Sequence, residues 1–231
     1  MTKYSDKKII FLIGPIGSGK GTQADNIAKE FSFFHFDTSA FLRRYFKEAT
    51  PENEEARKEI EIYNGGELNS PPFVTKIVLK EAESILGKFS GLVFSGSPRT
   101  VYEFENEVAF FENLVEKENI NFFYINVSKE ESIKRNSNRL VCEKNRHPIP
   151  NLSGFEKIRA SGVCPQDGSK LIKRGLDEPN TIAKRYDVYL RDTKPVLDKV
   201  KEIGYKIIKI NGDQSIEKVF EDINKALSNK Q

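Results

Sequence analysis

The chain has 231 residues, of which 38% are hydrophobic and 11% aromatic, including 17 Phe. This composition is typical of a globular protein with a sizeable core and excludes a disordered chain, in which aromatic residues are scarce. Lys and Arg number 37 against 34 Asp and Glu, so the net charge of +3 gives no indication of binding to nucleic acid or to a membrane. No apolar run is long enough for a signal peptide or a membrane span, and two cysteines do not make a disulfide scaffold. We therefore expect a cytoplasmic protein with reduced thiols.

Short apolar runs alternate with segments of helical periodicity along most of the chain. Such alternation predicts parallel strands that are joined by helices and covered on both faces. The predicted strands are 8–13, 33–37, 91–95, 121–127 and 205–210. The predicted helices are 19–31, 39–47, 52–62, 71–86, 100–116, 128–140, 178–202 and 215–227. The expected fold class is α/β, with a doubly wound five-stranded parallel sheet.

Two segments differ from this alternation. Residues 141–173 contain both cysteines, three prolines and several glycines, with little helical period. A long irregular stretch in a compact α/β domain is usually functional, so we interpret it as a lid or an inserted small domain. The other segment is the acidic run 52–61, which we interpret as the solvated face of a helix.

A glycine-rich segment joins the first predicted strand to the first helix. It reads Gly14-Pro-Ile-Gly-Ser-Gly-Lys-Gly-Thr22. Glycines allow the backbone N–H groups to curl around phosphate oxygens, and the helix N-terminus adds partial positive charge there. A lysine at position 20 supplies a full charge to the β- and γ-phosphates of a nucleotide. The pattern therefore predicts a phosphate-binding P-loop, with these phosphate-contacting residues: Gly17, Ser18, Gly19, Lys20, Gly21 and Thr22.

The P-loop string, including Gly21-Thr22 in place of the more general Lys-Ser/Thr, resembles that of adenylate kinases. Other segments of the chain are similar to motifs of the same family, and together they span residues 9 to about 225. These segments are His35-Phe-Asp-Thr-Ser-Ala-Phe-Leu-Arg43, Gly66-Glu-Leu68, Gly96-Ser-Pro-Arg-Thr100, Arg135 with Arg139, Gly168–Arg174, Thr181 with Arg185, and Ile210-Asn-Gly-Asp-Gln214.

The resemblance implies a nucleoside monophosphate kinase of the long-lid type. Its P-loop core would comprise residues 1–37, 68–139 and 176–231, with an acceptor-binding segment at 38–67 and a lid at 140–175. The implied reaction is reversible transfer of the ATP γ-phosphoryl group to AMP, which gives two ADP. The implied partners are ATP and a nucleoside monophosphate, the implied cofactor is Mg²⁺, and the family expectation is a monomer.

Phosphoryl transfer between two nucleotides requires cations that converge on several phosphates and a site that excludes water. Arginine suits this task because its planar guanidinium binds phosphate oxygens in pairs and stays charged. The resemblance implies a catalytic set made up of Lys20, Arg99, Arg139, Arg174 and Arg185. On the ATP side, the resemblance also implies that Arg135 stacks on the adenine base and that Gln214 lies in the turn that contacts this base.

The AMP side implied by the resemblance draws on several separate motifs. Arg43 and Arg99 would hold the acceptor phosphate, while Arg174 and Arg185 would close over the transferring group. The remaining implied AMP-binding residues are Thr38, Glu67, Leu68, Asn69, Gly96 and Glu103.

Two departures from the family pattern concern Mg²⁺. The family has an Asp before its Gly-Phe-Pro-Arg-Thr motif, where this chain has Ser95. After the lid the family has Arg-x-Asp-Asp, and this chain has Arg174-Gly-Leu-Asp177, so one of two carboxylates is lost. Both changes remove oxygen donors from the surroundings of a hard cation. Either waters, phosphates and Asp177 still hold Mg²⁺, or the enzyme is slow or inactive.

A third departure concerns the acceptor base. The family's Gln that reads adenine corresponds to Glu103 here. A Gln amide offers one donor and one acceptor, whereas an ionised Glu offers only acceptors and suits the N–H groups of guanine. One hypothesis is a preference shifted toward GMP. The alternative is that Glu103 points to solvent and backbone groups read the base.

The fourth departure lies in the lid, where some family members bind zinc through two Cys-x-x-Cys-like pairs. This chain keeps that spacing in Cys142-Glu-Lys-Asn145 and Cys164-Pro-Gln-Asp167, with Cys only at the first position of each pair. Asp167 is an acceptable zinc ligand, Asn145 a poor one, and His147 is close enough to substitute. Three alternatives for the lid remain open. They are a zinc ion on Cys142, Cys164 and Asp167, a metal-free polar cluster, and a disulfide. His35 we interpret as structural only.

Two further functional readings stay open. One is a kinase with another acceptor, either GMP or a pyrimidine monophosphate. The other is a non-catalytic nucleotide-binding module that has lost effective Mg²⁺ handling through Ser95 and Leu176. The complete arginine set favours the enzyme, because simple ATP binding does not require it.

Overall fold

The computed structural model describes residues 3–228, apart from the side chain of Leu176. One large and one small sheet are present in this part of the chain. The strands are β1 (Lys8–Ile13), β2 (Phe34–Phe36), β3 (Gly91–Phe94), β4 (Ile120–Asn126), β5 (Leu140–Cys142), β6 (Pro148–Ile149), β7 (Leu171–Ile172) and β8 (Ile207–Asn211). The helices are α1 (Lys20–Phe31), α2 (Thr38–Glu48), α3 (Glu54–Asn64), α4 (Pro71–Leu86), α5 (Val101–Glu112), α6 (Lys129–Ser137), α7 (Glu156–Ser161), α8 (Pro179–Val188), α9 (Lys194–Glu202) and α10 (Ile216–Ser228).

The large sheet confirms the predicted five-stranded parallel architecture. Its strands lie in the order β2-β3-β1-β4-β8, and Ile9 of β1 pairs with both Leu92 of β3 and Ile120 of β4. From β1 the chain moves to one side for β2 and β3, and later to the other side for β4 and β8. The carboxyl end of β1 is therefore the topological switch point, where open α/β sheets bind ligands.

Each face of the large sheet is covered by its own apolar cluster. On one face, Phe11 stacks between Phe94 at 4.9 Å and Phe122 at 5.1 Å between ring centroids, with Phe111 of α5 above them. On the other face, Ile10 and its neighbours pack against α1 and α10. Aromatic rings that are fully buried each contribute about 1.5–3 kcal/mol, so this core fixes the loops at the carboxyl ends of the strands.

The segment predicted to be irregular has regular structure of its own. Strands β5, β6 and β7 form a small antiparallel sheet in the order β6-β5-β7, and α7 lies between β6 and β7. These elements are two to six residues long. Such short elements do not produce a detectable periodicity in sequence.

Several predicted boundaries and one predicted environment differ from the structure. Helix α5 ends at Glu112 and not at 116, because the amides of Leu114 and Val115 both turn back to the carbonyl of Phe111. Helix α6 ends at Ser137, since the chain enters the small sheet at Leu140. The acidic run is not wholly solvated. Glu59 is buried and accepts hydrogen bonds from the Asn69 side chain and the Ser70 amide.

Helices α8 and α9 form one continuous helical segment, as predicted for 178–202. A π-helical turn at Tyr189–Thr193 joins them. π-Helical turns occur frequently at functional sites. Here Tyr189 and Thr193 line the same cavity as the P-loop lysine.

Candidate functional site

The P-loop connects β1 to α1 at the switch point of the sheet. Gly17 and Gly19 have φ angles of 71° and 91°, in the left-handed region that favours glycine. A Cβ atom on Gly17 would also lie 2.3 Å from Nδ2 of Asn136. The glycine spacing is thus a geometric requirement of the loop, and α1 begins at Lys20 with its free N–H groups facing the loop.

Lys20 lies inside the curl of this loop. Its Nζ donates to the carbonyls of Gly14 and Pro15, each at 2.7 Å, and lies 3.4 Å from Ser18 Oγ. Burial, followed by the charges of Arg99, Arg185 and Arg139, lowers the pKa of Lys20 to about 7. A neighbouring anion would reverse this effect, so the amine is placed for a phosphate ligand.

Two adjoining cavities open beside the P-loop and share Tyr63, Ser95 and Arg174. The smaller, of about 90 Å³, holds Lys20 and the acceptor-side motifs, while the larger, of about 650 Å³, lies between α1, β2 and the small sheet. Both are bordered by cations that the sequence predicted to converge. The predicted arginines that line one or both cavities are Arg43, Arg99, Arg139, Arg174 and Arg185, and Arg146 also lines the larger cavity.

These arginines are not neutralised by an equal number of acids. Burial, with Arg174, Arg99 and Arg139 adding repulsion, lowers the pKa of Arg185, and Asp177 only partly offsets this. The Nη1 atom of Arg185 is buried without a hydrogen-bond partner among the described residues. Buried unpaired donors are costly in free energy, so the arrangement is suited to a bound polyanion.

Arg139 and Arg135 make contacts within the protein. Arg139 binds both oxygens of Asp177, at 2.7 and 2.8 Å, in a bidentate ion pair. Asp177 is therefore paired with a guanidinium in this structure. Arg135 reaches the carbonyls of Gly212 at 2.9 Å and Gly17 at 3.4 Å, which links the turn after β8 to the P-loop.

Gln214, predicted to lie near the donor adenine, is held by its own turn. Its Nε2 donates to the carbonyl of Asn211 at 2.8 Å and to Asp222 at 3.0 Å. The turn lies beside the Arg135 contact at Gly212. Gln214 is thus close to the P-loop side of the site, although it does not line either cavity.

On the acceptor side, Thr38 and Gly96 face each other across the smaller cavity. Thr38 begins α2, which Asp37 caps by accepting from the Ser39 amide. The Thr38 hydroxyl is buried without a partner among the described residues, and a Cβ on Gly96 would lie 3.1 Å from Thr38 Cβ. The free hydroxyl therefore points to a missing ligand.

The loop between α3 and α4 contributes a second wall, and its three predicted residues differ in role. Glu67, Leu68 and Asn69 all line the smaller cavity. The Asn69 side chain also donates to the carbonyl and the carboxylate of Glu59, which holds the loop in place. Glu67 pairs with Lys184 and Arg191, each at 3.1 Å, which attaches this loop to α8 and the π-helical turn.

Glu103 is buried, so the interpretation that it points to solvent is wrong. Its Oε2 accepts from the Arg99 amide at 2.8 Å and the Ser97 hydroxyl at 3.2 Å, and its Oε1 accepts from the Thr100 hydroxyl at 3.1 Å. Thr100 in turn caps α5 by accepting from the Glu103 amide, an arrangement like a capping box in which the carboxylate reaches the amide of Arg99 instead of that of Thr100. Helix capping thus fixes the orientation of this carboxylate in the cavity wall.

A second buried acid, Glu107, was not predicted to belong to the site. It hydrogen-bonds Ser97 through Oε1, while its Oε2 has no partner among the described residues. Burial, together with the charge of Glu103, raises the pKa of Glu107 well above its ordinary value. The Ser97 hydroxyl has one hydrogen and can donate it to only one of the two acids. Both contacts are satisfied when Ser97 donates to an ionised Glu103 and accepts from a protonated Glu107.

Tyr63 is another site residue that the sequence analysis missed. Its hydroxyl accepts from Arg174 Nη2 at 3.4 Å, and its ring borders both cavities. Burial alone would raise the pKa of Tyr63, but Arg174, Arg43 and Arg99 lower it below its ordinary value. The only sequence signal was its position just before the Gly66-Glu-Leu68 motif.

Ser95 follows β3 and lines both cavities, and His35 lines the larger one. His35 lies between two polar partners, with Nδ1 2.7 Å from Asp25 Oδ1 and Nε2 2.7 Å from Ser95 Oγ. Asp25, Asp37 and Ser95 offer oxygen atoms to the larger cavity near the P-loop. Hydroxyl and carboxylate oxygens of this kind fit Mg²⁺, which keeps several waters and binds substrate phosphates.

The small sheet brings together a second group of metal-binding side chains, Cys142, His147, Cys164 and Asp167, whose candidate ligand atoms lie within 4.8 Å of one another. His147 Nδ1 is 3.4 Å from Sγ of each cysteine and from Asp167 Oδ2. Both cysteines are free thiols, so the disulfide is excluded here. Asn145 instead donates to Asp167 at 2.8 Å.

The known proteins that are similar to this chain are consistent with a nucleotide-binding site of this kind. The sequence profile described as adenylate kinase matches residues 12–205. An adenylate kinase of Oceanobacillus iheyensis is 32% identical over 96% of this chain and 99% of its own length. Adenylate kinases of Bacillus velezensis, at 33% over 94% of this chain and 97% of their own length, and of Geobacillus sp., at 34% over 96% and 99%, are similar in the same way.

No helix in residues 3–228 is both long and apolar enough to cross a membrane. The matched profile covers most of the chain and includes the P-loop, the arginines and the lid. The relatives match along nearly their whole length. The chain therefore belongs to the adenylate kinase family, whose members transfer a phosphoryl group reversibly between ATP and AMP.

Proposed function

We propose that this chain catalyses reversible transfer of the γ-phosphoryl group of ATP to AMP, giving two ADP. The observation that carries the proposal is the convergence of one lysine and five arginines on two joined cavities. Arg185 Nη1 and Thr38 Oγ1, both buried without partners, support it because phosphate oxygens and a nucleotide would satisfy them. ATP binding alone needs only the P-loop, so the excess of cations supports a second phosphorylated ligand.

The residue roles follow from position. The P-loop from Gly17 to Thr22, with Lys20, would cradle the phosphates of ATP, with Arg135 and Gln214 toward its base. Arg43, Arg99 and Thr38 would hold AMP, whose phosphate oxygen attacks in line, so the protein needs no nucleophile of its own. Arg139, Arg174 and Arg185 would stabilise the charge that spreads over the transferring group. Mg²⁺ would supply charge neutralisation of the phosphates, near Thr22 and Ser95.

Residues 38–67 and 140–175 would be the moving parts of the domain arrangement. The first carries Thr38, Arg43 and Tyr63, and the second carries Arg174 and ends against Asp177. Closure of both over bound nucleotides would exclude water and so favour transfer over hydrolysis. We propose a monomer, as the family resemblance implies, and light scattering of the purified protein would test this.

The fixed orientation of Glu103 supports AMP over GMP as the acceptor. A carboxylate has about four lone-pair positions, and the three internal donors leave one, on Oε1. One free acceptor suits the 6-amino group of adenine. Guanine has a carbonyl oxygen at the same ring position, which a carboxylate repels.

The test of the proposed function is phosphoryl transfer with Mg²⁺-ATP and each of AMP, GMP, CMP and UMP, beside a control without acceptor. We expect rapid ADP formation with AMP and slow turnover with the others. Preferential turnover of GMP would refute the acceptor assignment. ATP binding without transfer to any acceptor would leave only a nucleotide-binding module.

We also propose that the lid binds one Zn²⁺ through Cys142, His147, Cys164 and Asp167. For metal–ligand distances of about 2.0–2.3 Å, the edges of a regular tetrahedron are about 3.3–3.8 Å long. Four of the six separations between the candidate ligand atoms are 3.3 or 3.4 Å and match these edges, and all six are within 4.8 Å. His147 thus takes the place of the poor ligand Asn145, whose bond to Asp167 would orient that carboxylate.

Metal analysis of the purified protein tests this directly. One zinc per chain is expected, with none in Cys164→Ser. A metal-free protein with an equally stable lid would favour the alternative, in which Asn145 and Ser169 hold Asp167 in a polar cluster.

A further inference from the structure

Three polar side chains from three elements form a hydrogen-bonded line beside the P-loop. His35 of β2 lies between Asp25 of α1 and Ser95 after β3, with 2.7 Å to each. The Asp25 side chain is 61% exposed and that of His35 is 18% exposed, so the line runs inward from the surface. It ends at Ser95, which borders the cavity that contains Lys20.

The hydrogen atoms of this line follow from the neutral form of the His35 ring, in which one nitrogen carries a hydrogen and the other a lone pair. An ionised carboxylate only accepts, so the hydrogen between Asp25 and His35 belongs to Nδ1 of the ring. Nε2 of the neutral ring then has only a lone pair, and the Ser95 hydroxyl must donate to it. Both lone pairs of Ser95 Oγ remain for partners in the cavity.

This arrangement removes the usual ambiguity of a serine. A free hydroxyl rotates and can present either its hydrogen or its lone pairs. With its hydrogen held by His35, Ser95 presents acceptors only, as a carboxylate oxygen does. In this respect it reproduces the Asp that the family pattern has at this position.

We propose that Asp25 and His35 make Ser95 an acceptor-only group that orients the water shell of the Mg²⁺ bound with ATP. The inference rests on the proposed function, which brings Mg²⁺-ATP to the P-loop. Ser95 contacts the waters of the ion, and His35 and Asp25 are positioning residues. Water-mediated contacts of this kind are common around Mg²⁺, which dehydrates reluctantly.

The test measures metal binding without turnover. Mn²⁺ replaces Mg²⁺, no acceptor is present, and electron paramagnetic resonance counts free Mn²⁺ in the presence of enzyme and ATP. We expect Ser95→Ala and His35→Phe each to weaken Mn²⁺ binding about 3- to 10-fold, the equivalent of one hydrogen bond. The double variant should bind no more weakly than Ser95→Ala alone, because both changes remove the same contact.

Two further variants complete the design. Asp25→Leu, at an exposed position, should weaken Mn²⁺ binding about 2- to 3-fold because the ring loses the partner that fixes its tautomer. This variant carries the test if His35→Phe fails to fold. As a control, Asp198→Asn removes a more exposed carboxylate on α9, with its side chain 85% exposed, and should leave Mn²⁺ binding unchanged.

Three results would overturn the proposal. They are unchanged Mn²⁺ affinity in both His35→Phe and Asp25→Leu, additive losses in the double variant, and loss of metal-free ATP binding in the single variants. The last would mean that the line supports the P-loop and not the metal. Failure of the unaltered protein to bind ATP would instead refute the proposed function, so the two failures are distinguishable.

Discussion

The phosphate-binding core and the lid are stabilised in opposite ways. The core has an apolar cluster on each face of a five-stranded sheet, and it places mutually repelling cations at the edge of that sheet. The lid has one apolar cluster of four buried residues, two of which are the cysteines Cys142 and Cys164. A segment with so little apolar burial needs an additional constraint, such as a structural metal.

The difference indicates where function and stability are separable. In the core, the arginines add nothing to the apolar packing, and their unpaired charge opposes folding until phosphates bind. In the lid, the proposed zinc ligands Cys142, His147, Cys164 and Asp167 would themselves be the stabilising element. Removing polar groups should therefore damage activity in the core and structure in the lid.

The largest effect is expected for Arg185→Met in the core. Loss of this cation should lower kcat about 10³-fold, as loss of a transition-state donor does. The free energy of unfolding should stay the same or rise, because a buried unpartnered donor is removed. Steady-state kinetics and urea unfolding measure the two effects.

The matched control is Arg57→Met, an exposed arginine on α3 that should change neither quantity. A large loss of stability in Arg185→Met would contradict the separation of function from stability in the core.

The lid should respond in the opposite sense to Cys164→Ser. Loss of a zinc ligand should raise hydrogen exchange of lid amides more than about tenfold and leave the core amides unchanged, because opening is local. Mass spectrometry of exchanged peptides provides the measurement. Val163→Ala, at the neighbouring exposed position, is the control. Unchanged lid protection in Cys164→Ser would show that the four residues do not hold the lid.

Glu107→Gln tests whether the buried carboxyl group of Glu107, which contacts Ser97, is neutral. Burial raises the pKa of Glu107 in the folded protein. The contribution of its neutral form to the free energy of unfolding is therefore fully present below the unfolded-state pKa near 4.5, and it is lost as pH rises through the folded-state pKa. The variant should therefore match the original protein at pH 4 and gain about 1–3 kcal/mol in unfolding free energy at pH 9. Glu105→Gln, exposed on the same helix, should gain nothing. An equal gain at both pH values would argue against a titrating Glu107.

The smallest expected effect concerns ATP binding and pH. With the pKa of Lys20 at about 7 in the free protein, the amine loses its proton as pH rises, and phosphate binding must restore it. The Kd for ATP should therefore rise about fivefold between pH 7 and 8 through this linkage. Calorimetry in two buffers would detect the accompanying proton uptake. Lys20→Arg should abolish the uptake, and uptake that persists in Lys20→Arg would assign it to another group.

The sheet, the P-loop and the converging arginines could be predicted from sequence. Strands such as β1 and β4 are long buried apolar runs, and Lys20 stands in a contiguous motif. Arg99, Arg174 and Arg185 occur in motifs that the family resemblance connects, although the sequence does not show which atoms lack partners.

Other features depend on tertiary packing that no local pattern encodes. The sequence offered His147 as one possible substitute ligand, and only the hairpin between β5 and β6 brings it to the lid cluster from two residues beyond Asn145. The line from Asp25 through His35 to Ser95 joins residues as far as 70 positions apart. Ser97 and Glu107 meet Glu103 only because α5 packs against the loop after β3.

Transfer of labelled phosphate tests the central claim most directly. The unaltered protein would be mixed with Mg²⁺, AMP and ATP labelled with ³²P at the γ position, and the products would be separated. The account predicts that label passes from ATP into ADP in an AMP-dependent manner, with little inorganic phosphate, because the converged cations hold both nucleotides away from water. Label released as inorganic phosphate, or label that remains in ATP while ATP binds, would contradict it.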